Sequence, residues 1–190
     1  MEEKEHEKKI IKWIEELDPT KIPMMMDIFS EKMQTESMCM AAIKRNPLAI
    51  KSIKIKQTEE LCLAAVTKDG TMLRYVDNKT ARICVAAIVQ NMNAFKYIKT
   101  EDYSYHKHPV PGDPPHITRL EYMKIAEIVL KHNGRMIRFV DREEQTERLC
   151  LIAVKQNGIA LKYAQNKTKD VCHEAIKQNP SAVKYIRCNV

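Results

Sequence analysis

The feature that most restricts how this chain can fold is a unit of about twenty residues that returns six times. Its clearest copy is Gln145 to Ala164, QTERLCLIAVKQNGIALKYA, and weaker copies lie on both sides. A cysteine column aligns them as Cys39, Cys62, Cys84, Ala126, Cys150 and Cys172, with separations of 23, 22, 42, 24 and 22 residues. The long interval is one period plus an insertion. The two halves also match, since the offset is 87 from Cys39 to Ala126 and 88 for the next two pairs, which points to duplication of a three-repeat block.

Each column has a physical reading. Four residues before the cysteine stand Thr35, Thr58, Thr80, Tyr122, Thr146 and Thr168, a helix N-cap in every repeat but the fourth. Apolar residues just before the cysteine, at it, and three and four after it (Leu149, Cys150, Ala153, Val154) share one helical face. Seven after it come Asn46, Asp69, Asn91, Asn133, Asn157 and Asn179, followed by Gly70, Gly134 or Gly158, or by Pro47 or Pro180. Asn-Gly and Asn-Pro stop a helix and turn the chain. A second, shorter helix then buries positions such as Ala160, Leu161 and Ala164. A single pair cannot bury its own apolar faces, so successive pairs must stack. The predicted fold is all-α: an α-solenoid of six short helix-turn-helix repeats, with a period of 22–24 residues and an N-terminal helical cap. The position two after the cysteine bears on this. Ala41, Ala64, Ala86, Ile128 and Ile152 give way to Glu174, a polar residue suited to a terminal repeat facing water.

Four segments follow. Residues 1–33 form the cap, with an amphipathic helix carrying Ile10, Ile11, Trp13, Ile14 and Leu17 and a second helix holding Met24, Met25, Met26 and Phe29 as core filler. Residues 34–98 hold repeats 1–3, and residues 118–190 hold repeats 4–6. Between them, residues 99–117 read KTEDYSYHKHPVPGDPPHI, where four prolines and a glycine forbid a regular helix. The scarcity of glycine, four in 190 residues, and the abundance of Lys, Glu, Leu, Ala, Ile and Met agree with helix throughout.

The units QTEELCLAAVTKDGTMLRYV (Gln57 to Val76) and Gln145 to Ala164 resemble a helical repeat family of unknown function. That family is abundant in giant viruses of amoebae and in some amoeba-associated bacteria. The resemblance covers about residues 34–98 and 118–187 through a T-x-x-x-C-x-x-A-[VI]-x-x-N-[GP] core. It implies an α-helical repeat module of viral origin, and it brings no catalytic residues with it. Repeat 4 departs most from the pattern, with Tyr122 for Thr and Ala126 for Cys.

Six cysteines raise disulfides and zinc as candidates. Five of them occupy the packing column, where Ala126 is an accepted substitute, and stacked helices about 8–10 Å apart hold equivalent cysteines beyond disulfide reach. No C-x-x-C occurs, so no metal is expected. Cys188 lies outside the column as an exposed thiol. In the insertion, His106, His108 and His116 are half of all the histidines. An H-x-H pair there lacks the Cys or carboxylate context that fixes a metal, so the segment is read as a docking element, with a spacer as the alternative.

The surface column with most information stands twelve after the cysteine: Lys51, Arg74, Lys96, Arg138, Lys162 and Lys184, basic in every repeat. Five of these precede an aromatic, namely Tyr75, Tyr97, Phe139, Tyr163 or Tyr185. In a stack they form a ladder that would bind an acidic protein surface. The competing readings are a solvated face whose Lys and Arg stems cover the rings, and a nucleic-acid strip. The charge distribution agrees with a basic face. Of the net +7, residues 34–98 carry +5 and residues 118–190 carry +6, offset by acidic flanking segments. Rungs about 10 Å apart match closely spaced phosphates poorly, which favours the protein partner.

No phosphate loop, G-x-S-x-G, H-E-x-x-H or EF-hand loop occurs, so neither enzymatic activity nor a cofactor is expected. The sequence MEEKEHEKK is too polar for a targeting peptide, and no apolar run reaches about 18 residues. The expectation is a soluble protein without a membrane partner, in a reducing intracellular setting: the cytoplasm of a cell or infected host, or a virion. The oligomeric state is not legible from the sequence.

Overall fold

The computed structural model describes residues 2–99 and 116–186. His106, His108, Cys188 and most of the 99–117 insertion lie outside the described residues. The described part is all-helical, with eight α-helices, a set of 3-10 helices and no strand. The chain divides into two compact units. Of the described residues, 2–98 and His116 belong to unit 1, and Lys99 and 117–186 to unit 2.

Unit 1 opens with α1 (Glu2–Glu16) and α2 (Ile22–Ile28), followed by α3 (Glu36–Arg45), α4 (Glu59–Lys68) and α5 (Ala81–Gln90). Each of the last three is followed at once by a six-residue 3-10 helix: Pro47–Ser52, Gly70–Tyr75 and Met92–Tyr97. The α-helices pack in the order α1, α3, α4, α5, while the 3-10 helices pack on one another as a second layer. Unit 2 repeats the scheme with α6 (Arg119–His132), α7 (Glu147–Gln156) and α8 (Lys169–Gln178). Their 3-10 helices are Gly134–Phe139, Gly158–Lys162 and Pro180–Tyr185.

The periodicity predicted two joined helices per repeat, but the second is 3-10 rather than α, and no separate turn joins it to the first. The Asn/Asp column explains both. Its residue is at once the C-cap of the α-helix and the N-cap of the 3-10 helix, held extended (Asn157 at φ −150°, ψ 106°). Its backbone N–H closes the α-helix on Ala153 O, and its Oδ1 accepts the Ile159 N–H two residues on, at 3.0 Å. The same pair of bonds recurs at Asn46, Asp69, Asn91, Asn133 and Asn179.

Gly70, Gly134 and Gly158 follow this residue for a reason the sequence reading did not supply. None adopts a positive φ, so the turn does not require them. A Cβ at Gly70 would overlap the carbonyl oxygen of Ala87 in the next repeat. Gly134 faces Ala153 O and Gly158 faces Ala175 O in the same way. The glycines permit close approach between neighbouring repeats.

The five predicted threonine caps all form. Thr35, Thr58, Thr80, Thr146 and Thr168 each accept the N–H three residues on, at 3.3–3.4 Å. In repeat 4 the helix starts four residues earlier. Thr118 is its cap, in a capping box with Glu121, and Tyr122 is a fully buried core residue inside the helix. Three of the threonines also donate to the glutamate that opens the preceding α-helix, Thr58 to Glu36, Thr80 to Glu59 and Thr168 to Glu147, and Thr35 donates to Glu7 within α1. Glu7 thus ties α1 to the start of α3.

The cap differs from its predicted face in one residue: Ile14 is fully buried, but Trp13 is 48% exposed. In the methionine cluster Met25 and Met26 are core and Met24 points outward. The cysteine column packs as predicted, with Cys39, Cys62, Cys84 and Cys150 buried and Cys172 half-buried. Burial pushes the Cys39 thiol up to about 11 and the Cys62 thiol up to about 12. At Glu174 the column is half-buried, and Ile128, predicted to share its covered position, is 56% exposed.

Candidate functional site

The 3-10 layer carries the basic column, and its geometry follows from the short helix. Three residues per turn place the cation and the aromatic that follows it on adjacent sides of one turn, with apolar neighbours such as Ala160 and Leu161 directed into the core. The cation therefore folds over its own neighbour's ring. Arg74 lies 4.5 Å from the Tyr75 centroid, Lys96 4.8 Å from Tyr97, Arg138 4.5 Å from Phe139, Lys162 5.5 Å from Tyr163 and Lys184 5.1 Å from Tyr185. Lys51 precedes Ser52, which is buried, and has no ring to cover.

Five of the six cations are exposed and Lys96 is half-buried. Among the described residues none of the six pairs with a carboxylate. The ion pairs present, Arg82–Glu59, Arg119–Glu144 and Arg148–Glu127, belong to the α-layer and the segments feeding it. Lys51, Arg74 and Lys96 stand on three successive 3-10 helices of unit 1, and Arg138, Lys162 and Lys184 on three of unit 2. In unit 2 the face is reinforced by Arg135, whose hydrogen bond to the Tyr163 phenol, with the nearby Lys162 charge, holds that phenol below the ordinary tyrosine range.

Of the three loop histidines only His116 is described, and it is half-buried. Among the described residues no group of three His, Cys, Asp or Glu side chains is placed to hold a metal ion. None of their helices is long and apolar enough to cross a membrane.

Two sets of glutamines were absent from the sequence reading. Gln34, Gln57 and Gln145, five before the cysteine, tie the exit of the 3-10 helix back to its own repeat by accepting the N–H of Lys54, Asp77 and Gln165. Six after the cysteine, Gln90, Gln156 and Gln178 accept the N–H of Gly70, Gly134 and Gly158 in the preceding repeat. The signal was a covariation between columns: Gln stands there in the three repeats that follow a glycine repeat. Where Pro47 offers no N–H, the position is Lys68, whose amine bonds Lys44 O instead.

Each unit is thus a layer of α-helices beside a layer of 3-10 helices, and the 3-10 helices carry the cations. Residues 35–80 match a family described as a domain of unknown function (DUF4116). The matched segment runs from the Thr35 cap to the Thr80 cap, two complete repeats. No curated protein and no solved structure matches the chain.

Proposed function

We propose that the chain is a non-enzymatic interaction module of the α-solenoid class, its six repeats presenting basic rungs to an acidic protein partner. The observation that supports this most directly is that six cations, one per repeat, carry no carboxylate pair among the described residues while the α-layer pairs its own. A face of uncompensated like charge disfavours the isolated fold and favours association with an anionic surface. The aromatic rings hold the cations in place, which reduces the side-chain entropy lost on binding. An origin in a giant virus of amoebae or an amoeba-associated bacterium is part of the proposal, resting on the resemblance of the repeat units alone.

A glutamate-rich peptide and a short DNA duplex of equal charge, titrated against the full chain at rising salt, test the reading. We expect the peptide to bind and to lose affinity when Lys51, Arg74, Lys96, Arg138, Lys162 and Lys184 are changed to Gln. Binding of the duplex alone, with a steep salt slope, would transfer the function to nucleic acid. Unchanged peptide binding by the six-fold variant would leave the column as a solvated face.

A further inference from the structure

Unit 2 contains a cleft of about 820 Å³ between its last two 3-10 helices, and its walls are unusual in charge. Arg142, Lys162, Lys167 and Lys184 line it together with Gln165 and Tyr185, and among the described residues no carboxylate does. Four cations from three successive repeats thus converge on one concavity. Lys167 is fixed from below by donating its ammonium to Tyr185 O at 2.9 Å. Lys162 and Lys184 are the two cations set furthest from their rings, at 5.5 and 5.1 Å.

Unit 1 supplies an internal control, because the duplicated block puts a known residue at every equivalent position. There Asp77 stands for Gln165, Arg74 for Lys162, Lys79 for Lys167, Lys96 for Lys184 and Tyr97 for Tyr185, while Arg142 lies on a short 3-10 helix, Arg142–Glu144, that has no counterpart between Ser52 and Glu59 of unit 1. The repeat's packing therefore does not exclude an acid at the position of Gln165. An amide in place of that acid raises the charge of the unit 2 cleft, and it lies on its wall.

We propose that this cleft binds a compact, multiply phosphorylated small anion. Ammonium groups are strongly hydrated point charges suited to phosphate oxygens, and a guanidinium adds a two-pronged contact at the rim. A concavity of this size holds a ring or short chain bearing several phosphates, whereas an extended partner would use the open rungs. The cleft shares Lys162 and Lys184 with the basic column but does not rest on the acidic-protein reading, and either can fail alone.

Calorimetric titration of the full chain with inositol hexakisphosphate and, separately, with linear tripolyphosphate tests it and distinguishes a ring scaffold from a chain. We expect one site per chain at physiological salt. Each charge-assisted contact removed should weaken binding about tenfold, so Arg142→Gln and Lys184→Gln each lose about that factor and the pair more. Arg74→Gln with Lys96→Gln in unit 1 should leave it within about twofold, because such diffuse charge is screened. Gln165→Asp, which restores the unit 1 residue, should also weaken it. The proposal is overturned if neither probe binds, if several ions bind per chain, or if the unit 1 pair weakens binding as much as the cleft pair. Failure of the unaltered chain to bind the glutamate-rich peptide, with phosphate binding present, would instead count against the protein-partner reading alone.

Discussion

Units 1 and 2 run through the same order of elements, three α-helices each followed by a 3-10 helix, and the positions at which they differ separate what stacking demands from what the surface was free to change. Stacking residues recur in both: threonine caps, the Asn/Asp hinge, alanines at the tight approach and small thiols in the core. The 3-10 face does not. Leu48 of the first unit corresponds to Arg135 of the second, and Asp77 corresponds to Gln165. A second contrast lies in the glycine column, where Gly70, Gly134 and Gly158 each face a following repeat of their own unit, whereas Met92 and Pro180 end theirs. Glycine stands in three of the four repeats that another repeat of the same unit follows, and Pro47 stands in the fourth.

The largest expected effect tests that rule. Gly70→Ala in unit 1 and Gly134→Ala in unit 2 place a methyl against a neighbouring carbonyl oxygen and should each cost about 2–3 kcal/mol. Met92→Ala, at the same column in a terminal repeat, should cost under about 1 kcal/mol, since a half-buried side chain is only shortened. Urea denaturation midpoints decide it. Equal losses at all three would mean that the column responds to helix geometry and not to the neighbour.

The glutamine that follows each glycine comes next. Gln156→Leu removes the acceptor of the Gly134 N–H, bonded at 2.7 Å, and the donor to His132 O, at a cost of about 1–2 kcal/mol. At the matching position of unit 1, Lys68→Leu should change stability by less than about 0.5 kcal/mol, because Pro47 has no N–H to orphan. Amide exchange at Gly134, faster in the Gln156 variant, would confirm that the loss is local.

The thiols separate the units by pH. Cys39 and Cys62 of unit 1 are pushed up to about 11 and 12 by burial, and the equivalent of Cys39 in unit 2 is Ala126. A thiol that resists ionisation when folded keeps its proton while the unfolded chain loses it. That stability is complete below the unfolded pKa near 9 and declines as pH rises from there toward 11–12. Cys62→Ala should flatten the decline by about 1 kcal/mol between pH 8 and pH 10.5. Stability of the variant measured at pH 8 and pH 10.5 tests it, and a slope equal to that of the unaltered chain would assign the decline to other groups.

Much of this architecture was legible because helical stacking is written in periodic residues. The caps, the buried face and the hinge each recur at a fixed offset, so six copies restate one instruction. What escaped was of two kinds. The 3-10 character of the second helix escaped because Ala160, Leu161 and Ala164 suit a short α-turn equally well. The difference lies in Asn157, held extended by bonding both helices. The glycine and glutamine pairing escaped because its partners belong to different repeats, so reading one unit at a time separates them. For the basic face the sequence showed which residues recur. It could not show that Arg142, four residues past the column, joins Lys162, Lys167 and Lys184 around one cleft.

The smallest expected effect distinguishes a cation held for the fold from one held for a ligand. Arg74 and Lys162 are equivalent positions, yet Arg74 lies 4.5 Å from its ring and Lys162 5.5 Å. A guanidinium stacked closely on tyrosine contributes about 0.5 kcal/mol at an exposed site, and a more distant ammonium contributes less. Arg74→Gln should therefore lower stability by about that amount, with the loss abolished when Tyr75→Leu is already present. Lys162→Gln should leave stability nearly unchanged and weaken inositol hexakisphosphate binding, because its charge is directed to the cleft. If instead the two substitutions prove equally destabilising and binding is untouched, the difference in distance has no functional meaning. Both columns would then be one device for covering aromatic surface.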